Sequence, residues 1–250
     1  MTTNPTPFAV ESFAPLAAAE ASHWWFCARN RVLLWILQHK IPVFQTLLEV
    51  GCGTGYVLEA IRQSYPQATL YGSEFFEEGL VFARQRIPTA SFTQLDARLL
   101  QDHQRYQVIG AFDVLEHIDE DVLVLENLAH ALTHRGHLLI TVPQHTWLWS
   151  RVDEQACHVR RYSRRELLRK LRSVGLEVEY VTSFVSLLLP MMVMARRRAQ
   201  DTDYDPMVEF RLTTWLNRSL EAVMSLELIL LKLGITFPMG GSLLVLARKP

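Results

Sequence analysis

Three alternate glycines, Gly51, Gly53 and Gly55, follow the apolar run Leu47-Leu48-Glu49-Val50 and precede a helical pattern that opens at Tyr56-Val57-Leu58. Strand, glycine turn and helix in that order let a ligand approach backbone N–H groups where a β-carbon would collide with it. The helix adds its positive N-terminal end, so the chemistry on offer is nucleotide binding. Dinucleotide sites typically use G-x-G-x-x-G, whereas here Tyr56 stands in the third-glycine place. An NAD-dependent oxidoreductase is therefore the second reading rather than the first.

Two carboxylates follow at useful distances. Glu74 lies about 20 residues beyond the turn, where a carboxylate accepts both hydrogen bonds of a ribose diol. Asp96 can accept from an adenine amino group, with Leu95 and Ala97 as apolar flanks to the ring. Histidine is the side chain best matched to proton transfer near neutrality. His117, just past the fourth predicted strand, and His158, in a loop before a capped helix, are the candidate catalytic residues. Trp24, Trp25 and Phe26 are consecutive, so one helix face cannot bury all three. At least one faces a neighbour or pocket, and a lid is expected, with Trp24 and Trp25 on the substrate side. Arg29 can pair with a ligand carboxylate through its planar fork. Arg161 and Tyr162, beside Arg160, are candidate contacts to an anionic substrate group, against the alternative of a solvated basic loop.

These residues need elements to hold them. Short apolar runs predict strands over Thr46–Val50, Ala68–Ser73, Ser91–Gln94, Gln107–Phe112 and Gly136–Val142. Helices are expected over Ser22–Lys40, Val57–Tyr65, Phe76–Arg86 and Glu120–Leu132. This alternation is the pattern of parallel βαβ units, an α/β fold with both sheet faces covered. Ser163 three residues before Glu166 marks a capping-box start for a helix ending near Gly175, followed by a strand over Glu177–Ser183. A polar stretch, Arg196–Pro206, precedes one long helix or two over Met207–Leu233 and a last strand, Ser242–Arg248.

The glycine turn, Glu74, Asp96 and the run Asp113-Val114-Leu115-Glu116-His117 together resemble class I S-adenosylmethionine-dependent methyltransferases over residues 45–145. The resemblance implies a Rossmann-like three-layer sandwich whose seven-stranded, mostly parallel sheet has an antiparallel last strand, so that Ser242–Arg248 inserts beside Glu177–Ser183. It implies S-adenosyl-L-methionine as cofactor, held by Glu49, Gly51, Cys52, Gly53, Gly55, Glu74, Phe75, Asp96, Ala97, Phe112, Asp113 and Arg29. Gly51, Gly53 and Phe112 would lie along its methionine half. His23-Trp24-Trp25-Phe26 with Arg29, and Asp153-Glu154 with His158-Val159-Arg160-Arg161-Tyr162-Ser163, look like a bacterial subgroup acting on small molecules. Cys27, where similar sequences often have arginine, and Gln107, where an aspartate often starts the strand, depart from that pattern. In quinone-pathway O-methyltransferases, which the motif also resembles, Asp113, Glu116 and His117 would form a divalent-ion set. A hard ion needs more oxygen ligands than this segment offers, so no metal ligand is assigned.

Composition bounds the rest. A chain of 250 residues, 49% hydrophobic, supports one core with an appendage. The expected division is an N-terminal helical cap (1–44), a methyltransferase core (45–183 and 242–250) and an apolar helical insertion (184–241) for substrate or partner. A formal charge of −1 leaves no electrostatic footprint for nucleic acid. Three scattered cysteines without CxxC spacing, and a start (Met1–Pro15) without Lys or Arg, suit a cytoplasmic protein. Two apolar runs stand out: Val181–Ala195, which is short and contains Pro190, and Ala222–Met239, which carries Glu227 and Lys232. They predict packed helices, a pocket for a hydrophobic or lipid-linked acceptor, or membrane-surface contact. The function expected is O- or C-methylation of a small molecule, against a non-catalytic binding protein on the same fold.

Overall fold

The computed structural model describes residues 13–198 and 212–250. Two N-terminal helices, α1 (Phe13–Ala19) and α2 (Trp24–Lys40), lead into β1 (Thr46–Val50), α3 (Tyr56–Ser64), β2 (Thr69–Glu74), α4 (Glu77–Arg86) and β3 (Ser91–Gln94). The second half runs through β4 (Tyr106–Phe112), α5 (Asp121–Ala131), β5 (Leu132–Pro143), α6 (Arg151–Gln155) and α7 (Arg164–Ser173). It closes with β6 (Glu177–Phe184), α8 (Leu189–Arg198), α9 (Thr214–Lys232) and β7 (Ser242–Arg248).

Alternation within each strand makes the sandwich, because successive β-carbons point to opposite faces. In β1, Leu47 enters one layer while Leu48 and Val50 enter the other; in β4, Val108 and Phe112 oppose Ile109 and Ala111. Both sets are apolar, so both faces need cover. Helices α2, α3 and α9 supply it on one side, α5 and α7 on the other.

The strands form a seven-stranded sheet in the order β3-β2-β1-β4-β5-β7-β6. Pairs among β1 to β5 are parallel, and β7 runs antiparallel between β5 and β6, as the resemblance implied. Strand order reverses between β1 and β4, so their carboxyl ends flank the crevice where open α/β sheets bind ligands.

Several boundaries move. Strand β5 starts at Leu132 rather than Gly136, because Leu132 pairs with Tyr106 before a register shift. The apolar run Val181–Ala195 divides into the end of β6 and most of α8, with Pro190 in the first helical turn, where its missing N–H breaks no intrahelical bond. Arg196–Arg198 end α8 instead of opening a break, and the rest of that polar stretch, like residues 207–211 of the expected long helix, lies outside the described residues. Helix α9 packs on α2: Asn217 accepts from the Trp24 N–H at 2.9 Å and donates to the Ser22 carbonyl at 2.8 Å, and Arg31 pairs with Glu221 at 3.0 Å. Among the described residues no helix is long and apolar enough to cross a membrane.

Candidate functional site

At the exit of β1 the backbone takes positive φ at Gly51, Gly53 and Gly55. A β-carbon on Gly51 would meet Val114 Cγ2 at 2.4 Å, so this glycine serves the packing of the β1 and β4 exits. One on Gly53 would meet nothing within 4 Å: its face is open, with room for a ligand beside the backbone. Cys52, by contrast, is buried against Leu80 and Ala83 and presents no side chain to that opening.

Glu74 ends β2 and is pinned by three backbone donors: the N–H of Gly53 (2.9 Å), Phe75 (2.8 Å) and Phe76 (3.2 Å). Burial raises its pKa against those bonds. An ionised carboxylate offers about four lone-pair sites, so the grip on the turn still leaves an acceptor for a hydroxyl. Phe75 is exposed beside Phe76, a free face for stacking. Ala97 is buried in a short 3₁₀ turn that Asp96 caps. The structure qualifies the adenine role of Asp96: the Arg98 guanidinium clasps both its oxygens (2.6 to 3.0 Å) and holds its carboxyl below the usual range. Partly exposed pairs of this kind contribute only about 0–1 kcal/mol, so an amino group competes on near-equal terms.

Arg29 likewise has a protein partner. Its Nη1 donates to Asp113 at 2.7 Å, its guanidinium lies 4.6 Å from the Trp25 ring centroid, and its buried Nε has no hydrogen-bond partner. Asp113 sits just after β4 at φ 58°, a left-handed position that aspartate tolerates better than most residues. Trp24 and Trp25 are half-buried and Phe26 is buried, as three consecutive aromatics on one helix require. Phe112 is buried at the end of β4.

Two buried glutamates flank the turn. Glu49 Oε2 has no partner, and burial pushes its pKa up to about 8, with Arg29 opposing. Both Glu116 oxygens are buried without a partner, and burial together with Asp113 pushes its pKa far above the usual carboxylate range. Such groups are stabilised by a cation or by keeping a proton.

His117 and His158 come together as an edge-to-face pair, ring centroids 4.8 Å apart. His117 Nδ1 lies 3.3 Å from the Cys157 carbonyl, and His158 Nδ1 lies 2.9 Å from Asp153 Oδ1. Both acceptors lack a proton to give, so each Nδ1 carries the hydrogen and each Nε2 is left for chemistry. Burial lowers the His117 pKa to about 4, which keeps it neutral at pH 7. The donor atoms of Glu116, His117 and His158 all lie within 4.8 Å of one another, a set able to hold a metal ion. Asp113, the third member of the set implied by resemblance, faces Arg29 instead.

Arg161 and Tyr162, expected on the substrate side, are both enclosed by protein partners. Arg161 is buried, donating from Nε to Asp153 (2.8 Å) and from Nη1 to the Gln144 carbonyl (2.7 Å). Tyr162 is wholly enclosed, its hydroxyl donating to Asp121 at 2.6 Å and lying 3.2 Å from the Leu115 carbonyl. Neither is a solvated basic residue: both tie the loop before α7 to the sheet edge. Sequence reasoning missed the hub of that loop. Asp153 is fully buried in α6, reciprocates the Ser150 cap, and accepts from His158, Arg161 and Arg196. It missed Glu20 too, whose carboxylate accepts from Thr54 Oγ1 at 2.7 Å and pairs with Arg86 at 2.9 Å, fastening the turn before α2 to the glycine loop.

A family model described as a methyltransferase domain matches residues 21–181. The chain belongs to that family. Among curated relatives, the ubiquinone biosynthesis O-methyltransferase of Serratia proteamaculans is 28% identical over 146 residues, 52% of this chain and 61% of that enzyme. The malonyl-[acyl-carrier protein] O-methyltransferase of Bacillus anthracis is 33% identical over 97 residues, 38% of this chain and 36% of the enzyme. The chain thus spans from about a third to three fifths of the length of these relatives. Of the solved structures, the geranyl diphosphate C-methyltransferase of Streptomyces coelicolor A3(2) shares the fold at TM-score 0.59 and 13% identity, covering 90% of this chain and 77% of its own. The phosphoethanolamine N-methyltransferase 2 of Haemonchus contortus does so at TM-score 0.59 and 15% identity, covering 89% of this chain and 52% of its own.

Proposed function

We propose that this protein transfers a methyl group from S-adenosylmethionine to oxygen or carbon of a small, hydrophobic acceptor. The observation that carries the reading is the open backbone face at Gly53, with Glu74 pinned to one side and the unpartnered Oε2 of Glu49 in the strand beneath. A ligand with a ribose and two cationic centres satisfies both acids at once: a hydroxyl reaches the acceptor site left on Glu74, and a cation restores charge to Glu49.

When bound, the cofactor supplies an electrophilic methyl on a sulfonium, and no covalent enzyme nucleophile is needed. The chain's own work is positional. Trp24 and Trp25 on α2 wall the crevice and exclude water. Asp153 fixes His158 with Nε2 available to take a proton from a hydroxyl acceptor, and His117 beside it stays neutral and accepts. An apolar acceptor is supported by the relatives, among which the names include ubiquinone biosynthesis and geranyl diphosphate. Three scattered cysteines without CxxC spacing suit the reducing cytoplasm.

Calorimetry with S-adenosylhomocysteine and with NADH tests the class: the first binds and the second does not. Glu74→Ala is expected to weaken S-adenosylhomocysteine binding by about 1–3 kcal/mol while the fold persists. Heat with NADH alone would overturn the assignment. Mass-spectrometric detection of a methylated product from quinol and isoprenoid acceptors separates an enzyme from a binding protein on the same fold.

A further inference from the structure

Helix α9 buries one face against the domain through Leu220, Met224, Leu228 and Leu231. Its other face is open and apolar: Trp215 is 70% exposed, Leu226 51%, Ile229 53% and Leu233, just past its end, 73%. With Ala222, also exposed, these positions recur at intervals of seven, four, three and four residues, which places them in one stripe along the helix. The charged residues that interrupt the apolar sequence are sorted by side. Glu227 is buried, accepting from the Ser186 and Leu187 N–H groups at 2.7 and 2.8 Å, and Glu221 is paired with Arg31. The exposed charges of α9 are Arg218 and Lys232, both cationic, one toward each end of the stripe.

We propose that this face of α9 docks on an anionic lipid surface, lying in the interface with the apolar stripe inserted and the two cations at the headgroups. One acid buried, the other paired with Arg31, and base left outside is the charge arrangement that a negatively charged bilayer complements. A second copy of the chain fits less well. Arg218 and Lys232 lie at similar distances from the middle of the stripe, so parallel pairing sets each against itself and antiparallel pairing sets one against the other. Like charges meet either way. The helix lies on the membrane rather than crossing it, because its opposite face is already packed on α2 and the sheet. The surface brings the crevice to membrane-dissolved acceptors, but its existence does not depend on the methyl-transfer reading.

The full chain is sedimented with vesicles of phosphatidylcholine alone and of phosphatidylcholine mixed with phosphatidylglycerol. Binding is expected to the mixed vesicles, to fall with salt, and to drop about tenfold or more in Leu226→Ser/Ile229→Ser and in Arg218→Glu/Lys232→Glu. All four side chains are exposed, so both variants should keep the parent's melting temperature and its affinity for S-adenosylhomocysteine, which separates lost docking from lost folding or a failed cofactor reading. No binding to either vesicle overturns the proposal, as does equal binding to both. So does a dimer in sedimentation equilibrium that the Leu226→Ser/Ile229→Ser chain no longer forms.

Discussion

Asp153 accepts from four residues at once, Ser150, His158, Arg161 and Arg196, and that arrangement sets the orientation of His158. A buried carboxylate facing two guanidinium groups is held well below the usual carboxylate range, so it stays ionised and forces His158 to present Nε2 outward. Removing the charge has two separable consequences. Asp153→Asn leaves Arg161 and Arg196 without their counter-ion, and a broken buried pair costs about 3–5 kcal/mol, read as a lower urea midpoint. His158→Ala spares those arginines: turnover should fall at least tenfold with S-adenosylhomocysteine affinity within about threefold of the parent. Parallel loss of both quantities in His158→Ala would place the imidazole on the cofactor side instead.

The elements were largely legible because parallel strands covered on both faces read as short, mostly apolar runs, and β1 to β4 keep their predicted cores within a residue or so, even though β1 holds Glu49 and β3 is largely exposed. The glycine turn was legible for a mechanical reason, and two of its glycines, Gly51 and Gly53, now divide by role. Gly51→Ala should destabilise the fold by about 1–3 kcal/mol, since the methyl group drives into Val114 in a left-handed backbone. Gly53→Ala meets no protein atom, so beyond its share of backbone strain its loss should appear in cofactor affinity; a Gly53 variant that binds S-adenosylhomocysteine as the parent does removes the open face from the site. What sequence could not show was the sense of each polar residue. Arg161 and Tyr162 look like a basic loop because their partners, Asp153 and Gln144, Asp121 and Leu115, lie 8 to 47 residues away. Glu20 is joined to Thr54 across 34 residues, and no spacing rule signals such a pair. Periodicity records burial of apolar side chains and is silent on which acid meets which base.

At the scale of the whole molecule, buried titratable groups make stability depend on pH in two opposed ways. His117 has its folded pKa lowered from 6.5 to about 4, so the unfolded chain binds more protons over that interval and stability rises with pH. Glu49 has its folded pKa raised from 4.5 to about 8, so the folded chain holds the extra proton and stability falls as pH rises through that interval. Below the unfolded histidine value the slopes oppose each other; between it and the Glu49 value the buried acids act in one direction, Glu116 together with Glu49. Thermal melting of the ligand-free protein should therefore decline from about pH 6.5 to about pH 8, with a slope of up to about 1.4 kcal/mol per unit for each retained proton. Glu49→Gln should make the decline shallower, because the amide has no proton to lose while Glu116 still keeps its own. S-adenosylhomocysteine, whose ammonium offers Glu49 a charge partner, should flatten it in the parent but not alter it in the Gln variant. A melting temperature that climbs across this window, or a slope indifferent to Glu49→Gln, would show that this carboxyl is ionised throughout and that its burial against Arg29 already satisfies it.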